Sequence, residues 1–99
     1  MKEVKVIEVL EGLVHRRFTI EKLNKHLQKE FNLTEPLVIE DVTKYEDECD
    51  SSDYNLMCCL DTDSIFCDID IYFLKMRKPS IFGDDILITE VGYEFDDRI

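Results

Sequence analysis

The chain has 99 residues and a formal net charge of −11, with 44% apolar and 35% charged residues. That length supports one domain with a modest core, and the apolar content excludes a chain too polar to fold. No stretch approaches the ~18 apolar residues of a membrane-spanning helix. Lys2, Glu3 and Lys5 break up any secretory apolar region, so the expected location is cytoplasmic.

Residues 2–16 place Val6, Ile7, Val9, Leu10, Leu13 and Val14 in a stripe with spacings of three and four, which predicts a helix. The alternation through Val4 and Val6 also fits a strand, and helix is preferred. Residues 20–31 form a second helix with clearer ends. Thr19 caps it through its hydroxyl, and Phe18 and Leu23 match a hydrophobic staple. Ile20, Leu23, Leu27 and Phe31 make its buried stripe. Glu21 and Lys25 stand one turn apart, placed for an ion pair. Asn32 is the expected stop, and Pro36 keeps the helix from continuing.

Leu37–Tyr45 reads as a strand, followed by an acidic loop from Glu46 to Asp53. Residues 54–76 are the most informative stretch of the chain. Ile65, Cys67, Ile69, Ile71 and Phe73 alternate with Phe66, Asp68, Asp70, Tyr72 and Leu74. A strand sends successive side chains to opposite faces, so the first set is buried and the second faces water or a partner. Residues 54–60 are the preceding strand, and Asp61-Thr62-Asp63-Ser64 has the composition of a turn. After a loop with Pro79 and Gly83, Ile86–Phe95 is the last strand. The expectation is a single α+β domain over residues 1–99. Two N-terminal helices pack on a four-stranded, mainly antiparallel β-sheet arranged as a meander.

Charge is divided unevenly. Residues 1–32 hold 7 basic and 5 acidic side chains, whereas residues 33–99 hold 5 basic and 18 acidic ones. Self-repulsion on that scale opposes compaction. It serves either solubility or attraction to a basic partner. Asp68 and Asp70 share a strand face about 6.6–6.8 Å apart, as do Asp61 and Asp63 if the strand reaches them. Neighbouring strands can add Glu40, Glu90 or Glu94. Such an array is spaced like the phosphates of a nucleic acid, and aromatic residues such as Tyr72 supply anchoring area. The candidate partner-binding residues are therefore Asp61, Asp63, Asp68, Asp70, Tyr72, Glu46, Asp47 and Glu48. Arg16, Arg17, Lys22, Lys25 and Lys29 form at most a small basic patch. Net negative charge disfavours direct nucleic-acid binding.

Catalytic signals are thin. The four cysteines lack a C-x-x-C pair, and in a reducing compartment Cys58 and Cys67 read as small core residues. Paired aspartates are chemically able to take Mg²⁺ or Ca²⁺, but no EF-hand spacing or glycine-rich phosphate loop occurs. Gly83-Asp84-Asp85 is similar to the acidic turn of some polymerases, in a chain far too short for that fold. His15 and His26 stand apart from any nucleophile. No cofactor, metal site or enzymatic activity is expected.

In size, acidity and lack of catalytic motifs the chain resembles the small inhibitors that phages and mobile elements make against host nucleases. It is also similar to immunity proteins that neutralise nuclease toxins. This likeness is one of composition. It implies a non-enzymatic inhibitor of a basic nucleic-acid-handling protein, acting as a nucleic-acid mimic. The alternatives are an immunity protein or antitoxin against a nuclease toxin, and a small metal-dependent protein using its paired aspartates.

Overall fold

The computed structural model describes residues 2–44, 54–62, 65–76 and 83–96. Among them the element order is α1 (Glu3–Glu11), β1 (Arg17–Phe18), α2 (Ile20–Glu30), β2 (Val38–Lys44), β3 (Tyr54–Asp61), β4 (Phe66–Lys75) and β5 (Ile86–Asp96).

The α+β class holds, and every strand pairing is antiparallel. A four-stranded meander does not describe the sheet. It has five strands in the order β1-β5-β4-β3-β2, so chain order and spatial order differ. The added strand is Arg17–Phe18, which pairs with Leu87 and Ile86 on β5. Two residues are too short to show an alternation, and this segment lay inside the stretch between the expected helices.

The helix read over 2–16 ends at Glu11. Beyond it, His15 adopts a left-handed backbone (φ 70°), and its amide donates to the Ile88 carbonyl at 2.7 Å. Ile88 in turn donates to Arg16 O at 3.0 Å. The long-range pairing with β5 thus takes over where the helix stops.

α2 forms as its local signals dictate. The Thr19 hydroxyl accepts from Lys22 N at 3.0 Å. At the other end Asn32 is left-handed (φ 53°). Leu33 N donates to Gln28 O at 2.9 Å and Asn32 N to Lys29 O at 3.1 Å, the two bonds of a Schellman cap. Leu23, Leu27 and Phe31 are buried, but Ile20 is 37% exposed. Ile20 is the first helical residue and sits at the margin of an apolar contact with Leu37, Leu56 and Cys58.

One core joins the helices and the strands. Val6, Leu10 and Leu13 meet Leu23, Leu27 and Phe31, together with Leu56, Leu60, Ile69, Ile71, Phe73 and Ile88. Tyr93 on β5 donates to Glu11 Oε1 of α1 at 3.0 Å. No helix among the described residues is long and apolar enough to cross a membrane.

Candidate functional site

The hairpin β3–β4 creates two unlike faces. Ile65, Cys67, Ile69, Ile71 and Phe73 are all buried, as their alternation requires. Burial pushes the Cys67 thiol up to about 11, so it stays protonated and serves packing. At the turn, Ile65 N donates to the Thr62 hydroxyl at 3.1 Å, and Thr62 N donates to Ile65 O at 2.8 Å.

The outer face is built by register. Across β3 and β4, Cys59 pairs with Asp68, Met57 with Asp70, Asn55 with Tyr72 and Asp61 with Phe66. Across β4 and β5, Asp68 pairs with Glu94, Phe66 with Asp96, Tyr72 with Glu90 and Asp70 with Gly92. The strands therefore gather Asp61, Asp68, Asp70, Glu90, Glu94 and Asp96 on one surface. Asp68 and Glu94 lie directly opposite, where Cβ atoms are about 4.5–5.5 Å apart and like charges repel. Among the described residues, no ion pair reaches Asp68, Asp70, Glu90, Glu94 or Asp96.

The face is not uniformly polar. Phe66 and Tyr72 are half-buried and Met57 is 41% exposed, so apolar area lies between the carboxylates. Asn55 is 4% exposed although it occupies an outer-face position, and its Nδ2 has no hydrogen-bond partner among the described residues. A bulge at Thr89 lets Phe73 pair with Ile88 while Tyr72 pairs with Glu90. The Thr89 hydroxyl donates to Tyr72 O at 3.2 Å and secures the bulge. Without that extra residue, Glu90, Glu94 and Asp96 would exchange faces with Val91, Tyr93 and Phe95 relative to Ile86 and Ile88.

The sequence candidates divide into two groups. Asp61, Asp68, Asp70 and Tyr72 are brought together on this face, with Asp61 diagonally across from Asp68. Asp63, Glu46, Asp47 and Glu48 lie outside the described residues. Glu90 and Glu94 join the array through β5, and Asp96 extends it beyond what alternation in β4 indicated. Strand alternation in 86–96 was the available signal, but the bulge hides it.

Elsewhere some charges are engaged. Lys22 reaches Asp84 at 3.0 Å, which ties the Gly83-Asp84-Asp85 turn to α2. Arg16 stands 4.9 Å above the Phe18 ring and 3.5 Å from His26 Nε2. Partial burial and then Arg16 hold His26 below its ordinary range. Among the described residues, no group of three or more His, Cys, Asp or Glu side chains is arranged to hold a metal ion. No family model, no curated protein and no solved structure matches the chain.

Proposed function

We propose that the protein is a non-enzymatic inhibitor that binds a basic, nucleic-acid-handling protein through the outer face of β3, β4 and β5. One observation carries this reading: six carboxylates share one sheet face, and two of them are paired directly across strands. Such a layout costs stability, since opposed like charges destabilise a sheet. A cationic groove offsets that cost on binding. Spacings near 5 Å across strands and about 6.7 Å along them give a charge density that a phosphate-binding groove attracts. Tyr72, Phe66 and Met57 contribute desolvated contact area within the array. A phage-type nuclease inhibitor and an immunity protein against a nuclease toxin are two settings of this same mechanism.

The test begins with affinity capture of the partner from the native host and its identification. Surface plasmon resonance then compares the wild type with a variant in which Asp61, Asp68 and Asp70 become asparagine and Glu94 becomes glutamine. The variant is expected to fold normally and to associate more slowly, with the difference shrinking as salt rises. The partner's nucleic acid is expected to compete. Salt-insensitive binding that survives the substitutions would overturn the proposal and move the interface to the helices.

A further inference from the structure

We propose that the cleft between the 33–37 loop and the end of β3 receives an arginine side chain of the basic partner, anchoring it at one corner of the acidic face. This rests on the reading above and adds to it the identity of the anchoring group. The cleft holds about 240 Å³. Its apolar lining comes from Leu33, Leu37, Cys59 and Leu60, and its carboxylates from Glu35 and Asp61. Leu37 and Leu60 are buried, while Glu35 and Asp61 are exposed. The half-buried Leu33 and Cys59 therefore supply the accessible apolar surface of the cleft, beside the exposed carboxylates of Glu35 and Asp61.

That division matches arginine. Its three-carbon stem lies well on apolar surface, and its planar guanidinium is weakly hydrated and pairs bidentately with carboxylates. A lysine ammonium keeps its hydration and gains less from such a cleft. Position supports the same assignment. Cys59 lies opposite Asp68, and Asp61 is two residues further along the same outer face. An arginine in the cleft thus leaves the surrounding basic surface over Asp68, Asp70 and Glu94. Interfaces concentrate their energy where an arginine or aromatic group fills a desolvated pocket beside a weaker charged periphery.

The experiment is an NMR titration of the ¹⁵N-labelled full chain with hexa-arginine and with hexa-lysine peptides. Hexa-arginine is expected to shift the amide signals of Leu33, Thr34, Glu35, Leu37, Cys59 and Asp61. It is also expected to bind about tenfold more tightly than hexa-lysine, the discrimination of one well-seated anchor. Thr34→Trp, which fills the cleft from an exposed loop position, removes the preference, and Glu35→Gln reduces it in a chain of unaltered shape. Asp68→Asn with Asp70→Asn weakens both peptides alike. Equal affinities with shifts confined to β4 and β5 would overturn the cleft assignment and leave the acidic-face reading standing. Binding of neither peptide would overturn both.

Discussion

The helical segment and the outer sheet face handle charge in opposite ways. In α1 and α2, several charges meet an opposite charge: Lys25 pairs with Glu21 at 3.2 Å, Lys22 with Asp84 at 3.0 Å, and Lys5 with Glu30 at 3.7 Å. On the outer face, carboxylates are set beside carboxylates. Exposed ion pairs each contribute little, so the contrast in stability is small. It lies in the field each region projects. Pairs of opposite charge cancel within a few ångströms, whereas an array of one sign adds up and reaches a partner.

The comparison breaks most completely if outer-face chemistry is moved inward. Ile69 is 1% exposed and flanked by Asp68 and Asp70 on the other face. Ile69→Asp places an unpaired carboxylate in the core and is expected to cost several kcal/mol, enough to abolish cooperative melting. Circular dichroism on heating checks this, and a near-native transition would reverse the face assignment.

Thr19→Ala removes the helix-capping acceptor and is expected to cost about 1 kcal/mol, read by urea denaturation. The outer face should answer with the opposite sign. Asp68→Asn combined with Glu94→Gln relieves a direct like-charge pair and is expected to raise stability by about 0.2–1 kcal/mol at low salt. The gain should fade as salt screens the repulsion.

The smallest effect belongs to His26. Partial burial and then Arg16 lower its value from 6.5, while Glu30 opposes them. A lowered folded value means the unfolded chain binds more protons. His26 therefore contributes no penalty well above 6.5, and stability declines as pH falls through that value towards the folded one. Acidification also reduces the overall repulsion, so the informative quantity is a difference. Between about pH 7.5 and about pH 5.5 the wild type should lose melting temperature relative to His26→Asn.

Local periodicity was enough for part of this molecule. The alternation from Ile65 to Leu74 assigned both faces of β4, because a strand's side-chain period is two wherever it is placed. Thr19, Leu23, Leu27 and Asn32 marked the ends and the buried stripe of α2, because capping and helical spacing act within a few residues. These features put Asp68, Asp70 and Tyr72 on one surface.

Everything that depends on pairing between distant segments required the tertiary structure. Arg17–Phe18 became a strand only because β5 supplied its hydrogen bonds. Ile20 keeps 37% of its surface exposed at the first position of α2, which the helical spacing alone did not indicate. The bulge at Thr89 set which residues of β5 face outward, and so brought Glu90, Glu94 and Asp96 beside Asp68 and Asp70. The cleft joining Glu35 to Asp61 arises from the docking of a loop against a strand, between residues 26 apart in the chain. Register and docking are set by contacts summed over the whole core, and no short window of sequence contains that sum.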